Sequence, residues 1–118
     1  MTELPDLSIG FLLHSYRAGS QTPSQVLADI RSRASELNDE NIWIHMLSEA
    51  ETAPDLAALS RHEPDELPLY GIPFAIKDNI DLAGIPTTAG CPDYAYTPAH
   101  SASVVERLLL AGALPVGK

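Results

Sequence analysis

Apolar positions in the first forty residues recur at helical spacing. Ile9, Leu12, Leu13 and Tyr16 fall at i, i+3, i+4 and i+7, which predicts an amphipathic helix over residues 8–18. Gly19 stops it at the C′ position. Thr22-Pro23-Ser24-Gln25 then reads as a helix start, with Thr22 as N-cap, Pro23 at the first helical position and Gln25 closing a capping box. Val26, Leu27, Ile30, Ala34 and Leu37 line one face of this second helix, and Asn38-Asp39 end it. Residues 1–40 thus form an N-terminal helical hairpin that needs a larger body to lie on.

Beyond residue 40 the pattern changes. Asn41 to Leu47 carries Ile42, Trp43, Ile44 and Met46 in close succession, which predicts a short buried strand. A helix follows between Ser48 and Arg61, with Pro54 unsettling where it starts. The acidic, proline-broken residues 62–68 form an exposed loop. Residues 71–80, Gly-Ile-Pro-Phe-Ala-Ile-Lys-Asp-Asn-Ile, read as a strand running into a loop. This strand is apolar on both faces, as in a sheet covered on both sides. Loops rich in small residues and turn formers continue to His100. Residues 103–111 form a helix, with Ser103 and Glu106 in capping-box register and Val104, Val105, Leu108 and Leu109 facing inward. Gly112 ends it, and Ala113 to Val116 begin another buried strand.

Strand, loop, helix and strand in that order make a parallel crossover unit. Two strands cannot make a covered parallel sheet. The expectation is therefore the N-terminal part of a larger α/β domain, with residues 41–118 supplying its first strands and helices.

Composition narrows the function classes. Of 118 residues, 45% are hydrophobic, enough to exclude a disordered chain. Seven basic residues against sixteen acidic ones, a net charge of −9, argue against nucleic acid or an anionic membrane as partner. Cys91 is the single cysteine, so no internal disulfide forms and a reducing, cytoplasmic setting is expected. The first six residues lack the basic and apolar regions of a signal peptide. His14, His45, His62 and His100 show no metal-ligand spacing, and no metal or cofactor is expected.

The residue whose chemistry demands explanation is Lys77. Strand alternation puts it on the face of Pro73 and Ala75, at the end of an apolar run. An ammonium carried into such a place is costly unless it is paired or loses its proton. From spacing alone, a strand-end lysine that snorkels to water is the commoner case. Asp78 could pair with Lys77, but strand neighbours face opposite ways and a turn-forming role is favoured; Asn79 shares the face of Lys77 and could hydrogen-bond it or, as preferred, hold the loop. Thr87 and Thr88 could frame an active-site floor or bond local backbone. Cys91 with His100 as a thiol nucleophile is weak on sequence proximity alone. Tyr94 and Tyr96 could line an entrance or pack on the domain body, and Trp43 belongs in the core.

The stretch from Leu69 to Asn79, then Gly84-Ile85-Pro86-Thr87-Thr88-Ala89-Gly90, then 102–108 and 112–118, resembles the amidase signature family. Asn41-Ile42-Trp43-Ile44 and residues 90–98 make it most similar to the allophanate hydrolases within that family. The resemblance implies an amidase-signature α/β fold, a mixed and mostly parallel sheet covered by helices, incomplete in these residues. It implies a Ser–cis-Ser–Lys triad in which Lys77 is the catalytic lysine, acting in neutral form on a small-molecule amide substrate. Both serines would come from the remainder of the amidase domain, on the same or a separate chain, because Ser101 and Ser103 do not match their motifs. Cys91 departs from the serine usual in the broader family. The complete enzyme would be a homo-oligomer, and the 118 residues alone inactive. The amidase subunit of a tRNA-dependent amidotransferase and a broad-specificity amidase are the rivals within the family. A non-catalytic fragment or interaction module is the rival outside it.

Overall fold

The computed structural model describes residues 5–118. The absence of a leader read from the first six residues falls partly on 1–4, outside the described residues. Four helices and two strands follow in the order α1 (Ile9–Ala18), α2 (Pro23–Glu36), α3 (Glu49–Leu59), β1 (Pro73–Ala75), α4 (Ser103–Leu110) and β2 (Leu114–Gly117). No helix among the described residues is long and apolar enough to cross a membrane.

The helix starts are written in local chemistry. Ser8 caps α1, and Gly19 ends it in the left-handed region at φ 75°. At α2 the Thr22 hydroxyl accepts from the Gln25 N–H at 3.2 Å, and the Gln25 side chain accepts from the Thr22 N–H at 2.9 Å. Ser48 and Glu51 make the same reciprocal pair at α3, and this settles the start that Pro54 obscured. Pro54 is accommodated inside α3. The capping box foreseen at Ser103 does not form: Ala102 is the cap residue of α4, and no side chain caps it. Val104, expected inward, is 56% exposed, while Val105 is the buried residue of that helix.

β1 and β2 pair in parallel, joined through the loops and α4, as the strand–helix–strand order requires. Phe74 faces Pro115 across the pair, and the register slips by one residue immediately after it. Pro115 has no N–H for the ladder, and a bulge beside it is where such a residue is tolerated in a sheet. The strand foreseen at 41–47 is not one. Ile42 and Ile44 are 58% and 59% exposed, and only an isolated antiparallel bridge joins Met46 to Gly117. The segment still hydrogen-bonds along β2: Lys118 O accepts from Ile44 N and His45 N, and Val116 O from Leu47 N. A run so short makes too few ladder bonds to hold a strand pleat; Leu47 is buried in the core, while Ile42 and Ile44 stay open to solvent.

Three apolar clusters hold these elements. Leu12 and Tyr16 of α1 and Val26 of α2 meet Ile72 just before β1. Leu27 and Leu59 pack on Leu114 and Val116 of β2. Leu47, Ile76, Leu82, Ile85 and Val105 form the third cluster, with Phe74 and Leu109 against it. Helices α1 and α2 therefore share side-chain packing with the strand region. The buried Tyr16 hydroxyl donates to Gly71 O at 2.8 Å, and its ring leaves no room for a Cβ at Gly71, where one would lie 2.7 Å from Tyr16 Cε2. Gly71 also sits at φ 69°, a backbone region that other residues enter at a cost.

Candidate functional site

β1 and β2 each run into a lysine, and the two lysines have opposite environments. Lys77, two residues past β1, is exposed. The expectation that its strand is covered on both faces is corrected here. Ile72, Ile76 and Asp78 are buried on one face, whereas Ala75 and Lys77 on the other are exposed. No described residue packs over that second face closely enough to bury them. None of the ion pairs among the described residues involves Lys77. Its backbone is nonetheless fixed: Lys77 O accepts from Ile80 N at 2.9 Å, and the preceding Ile76 N donates to Gly117 O at 2.9 Å.

Lys118 directly follows β2, and its side chain has no solvent exposure. Its Nζ lies 3.4 Å from Asp78 Oδ1, and donates to Thr87 Oγ1 at 3.3 Å and Pro86 O at 3.4 Å. Asp78 is therefore half of a buried ion pair, with Lys118 and not with the adjacent Lys77, where the sequence favoured a turn former over a salt-bridge partner. It is a loop organiser as well. Its carboxylate accepts from Thr88 N at 3.3 Å, from Gly90 N at 3.4 Å and from the Thr88 hydroxyl, and its carbonyl accepts from Ala89 N at 3.2 Å. Ala89 and Gly90 both have positive φ, 50° and 75°. For Ala89 this conformation costs about 1–2 kcal/mol, offset by the hydrogen bonds it directs at Asp78.

A second carboxylate completes the cluster. Asp81 Oδ1 accepts from Thr87 Oγ1 at 2.8 Å and from the Tyr96 hydroxyl at 2.6 Å. Thr87 and Tyr96 also exchange backbone hydrogen bonds of 2.8 and 3.1 Å across the loop. The chain of contacts runs Tyr96, Asp81, Thr87, Lys118, Asp78, Thr88. Burial pushes the Asp78 carboxyl up, but the Thr88 hydroxyl, the Thr88 and Gly90 N–H groups and Lys118 outweigh it and hold it below its ordinary value. The Tyr96 and Thr87 hydroxyls, with the Lys118 charge, hold Asp81 down against the opposing pull of burial. The same hydrogen bond to Asp81, with burial and the carboxylate charge, raises the Tyr96 phenol.

Of the residues singled out in the sequence, the fold brings Thr87, Thr88 and Tyr96 to Asp78 and Lys118. Tyr94 stacks edge-on to Tyr96, with ring centroids 5.9 Å apart, and stays 60% exposed. Asn79 is exposed. Cys91 and His100 are both exposed. Ser101 is engaged as a hydrogen-bond acceptor for Ala83 N at 2.9 Å. Lys118 was missed, although the signal was the one used for Lys77: a lone lysine that closes an apolar run, here Ala113 to Val116. Two clefts of about 350 and 480 Å³ open between α3 and α4 and beside α1 and α2, and neither is lined by Lys77, Asp78 or Lys118. Lys77 sits on the surface, and Lys118 is buried against Asp78.

A family model described as amidase matches residues 25–118. Urea amidolyase of Saccharomyces cerevisiae is 37% identical over 96% of this chain, which spans 6% of that protein. A glutamyl-tRNA(Gln) amidotransferase subunit of Chloroflexus aurantiacus is 36% identical over the whole chain, which spans 25% of it. Among solved structures, Kluyveromyces lactis allophanate hydrolase superposes with a TM-score of 0.72 at 34% identity, over 90% of this chain and 18% of its own. The chain thus spans a quarter or less of the length of each of these relatives.

Proposed function

Because the chain belongs to the amidase family, we propose that it is part of an amide hydrolase acting on allophanate, with Lys77 as the base of a Ser–cis-Ser–Lys triad. The likeness to urea amidolyase and to allophanate hydrolase supports the substrate. One observation carries the assignment of the base. Of two lysines that follow adjacent parallel strands, Lys118 is buried against Asp78, and Lys77 is exposed on the open face with no ion pair among the described residues. The Lys118 amine is already committed to Asp78, Thr87 and Pro86, so Lys77 is the lysine whose amine can meet a serine.

In this reading the remainder of the amidase domain covers the Ala75 and Lys77 face and brings both serines to it. The nucleophilic hydroxyl gives its proton through the cis-serine hydroxyl to Lys77, and its oxygen attacks the amide carbonyl. The C–N bond breaks, and Lys77 returns the proton along the same path to the departing nitrogen, which leaves as ammonia. Water then adds to the acyl-enzyme, with its proton taken by the same relay. The released acid breaks down to carbon dioxide and further ammonia. No cofactor is called for. A cytoplasmic setting and self-association of the complete enzyme belong to the same proposal.

The test is ammonia release from allophanate by the complete enzyme and its Lys77→Met variant. A fall of about 10²–10⁴-fold in kcat, the usual contribution of a general base, supports the role. A variant within twofold of the parent overturns it. The whole-chain match to an amidotransferase subunit favours a second reading, in which glutamine replaces allophanate as the amide that is cleaved. Ammonia released from glutamine and not from allophanate would select that reading.

A further inference from the structure

Lys77 and Asp78 are chain neighbours just past β1, at a turn closed by the Ile80 N–H on Lys77 O at 2.9 Å, and they face opposite ways, Lys77 exposed and Asp78 buried. Asp78 is turned inward and held there by four donors: Lys118 Nζ, the Thr88 hydroxyl, and the N–H groups of Thr88 and Gly90. Lys118 is the charged member of that set and the one that arrives from the neighbouring strand. Its backbone is clamped in turn, with its N–H given to His45 O at 2.8 Å and its carbonyl receiving Ile44 N and His45 N. The hold on Asp78 is thereby tied to β2 and to segment 44–47 as well as to residues 88–90 of its own loop.

We propose that Lys118, acting through Asp78, is a positioning residue that fixes the direction in which Lys77 presents its amine. The inference rests on the reading of Lys77 given above. With Lys118 removed, the Asp78 carboxylate loses its counter-charge in a buried place and turns toward water. Lys77 is displaced with it. A misplacement of about 1 Å in a reacting group can cost on the order of 10²-fold in rate. Allophanate is bound by other parts of the enzyme in this picture, so affinity is spared.

The experiment measures kcat and KM for ammonia release from allophanate by the complete enzyme. The variants are Lys118→Met, Asp78→Asn, the double variant and Thr88→Val, with Lys77→Met as reference, all at a temperature where circular dichroism shows them folded. Each charge variant should lose about 10–100-fold in kcat with KM within about twofold, as expected for lost orientation. The double variant carries no uncompensated charge and should recover at least about tenfold over Lys118→Met. Thr88→Val takes one donor from Asp78 without touching a charge, and should lose roughly threefold to tenfold in kcat should the charge variants fail to fold. Unchanged kcat in Lys118→Met and Asp78→Asn overturns the positioning role, as does a double variant no better than its worse parent. If only Thr88→Val folds, its unchanged kcat does so too. An active Lys77→Met enzyme would instead sink the functional reading itself, whatever Lys118 does.

Discussion

Lys118 and Asp78 form an ion pair whose lysine side chain is wholly buried and whose Nζ–Oδ1 separation is 3.4 Å. Breaking a buried pair from one side leaves a charge without a partner, which typically costs about 3–5 kcal/mol. Lys118→Met should therefore lower the stability of the complete enzyme by that order in urea unfolding. Asp78→Asn combined with Lys118→Met should restore most of the loss, because the desolvation cost goes together with the attraction.

The pair also gives a pH signature. Asp78 is held below its ordinary value of 3.8. Its contribution to stability is complete above that value and fades as pH falls through the lower, native one. The stability advantage of the parent over Asp78→Asn should be constant near neutrality and shrink only in that acid range. Urea midpoints measured at descending pH would show it, and an advantage lost already near neutral pH would contradict the sign.

Tyr16 makes the opposite case. Burial, with a smaller effect of Tyr70, raises its phenol far above the ordinary value of 10.0. Such a group contributes stability that is whole below pH 10 and is lost as pH rises beyond it. Tyr16→Phe, which strands the Gly71 carbonyl, should cost about 0.5–1.5 kcal/mol at neutral pH. The difference from the parent should narrow in alkali, as followed by thermal melting.

Ser48 and Ser103 test how much the sequence alone could say about helix starts. Both stand three residues before a glutamate, yet only Ser48 lies outside its helix with its hydroxyl on the Glu51 N–H. Ser48→Ala should cost about 1 kcal/mol of stability. Ser103→Ala should stay within about 0.5 kcal/mol, as for an exposed position without a partner. Equal losses in denaturant unfolding would place a cap at Ser103 that the geometry of α4 lacks.

That contrast marks what could be read in advance. Helices with a cap, a period and a stop, such as Pro23–Glu36, declare themselves locally, and so does the order of strand, helix and strand that gives the parallel pair. The segment at 41–47 did not, because its apolar residues look alike whether a neighbour covers them or not. Lys77 stood out by its place in a motif. Lys118 did not, since the carboxylate that gives it meaning lies forty residues away along the chain. Burial of a charge is a property of the fold, and only its partner makes it legible.

Gly117 shows the same dependence on distant neighbours. A Cβ there would lie 2.7 Å from the His45 carbonyl oxygen and 2.8 Å from the Trp43 ring. Gly117→Ala should destabilise by about 1–3 kcal/mol through overpacking, measured as a drop in melting temperature. Trimming the ring with Trp43→Leu in the same chain should relieve only part of this, because the carbonyl oxygen belongs to backbone and cannot move aside.

Lys118 touches residues 44, 45, 78, 86 and 87 at once, so those contacts close only after long stretches of chain have found one another. These contacts draw together three segments distant in the chain, and the expectation is that they close only once the folding barrier is crossed. Loosening them should then leave the rate of folding nearly unchanged and quicken unfolding instead. What this lysine governs, on that view, is the lifetime of the folded enzyme.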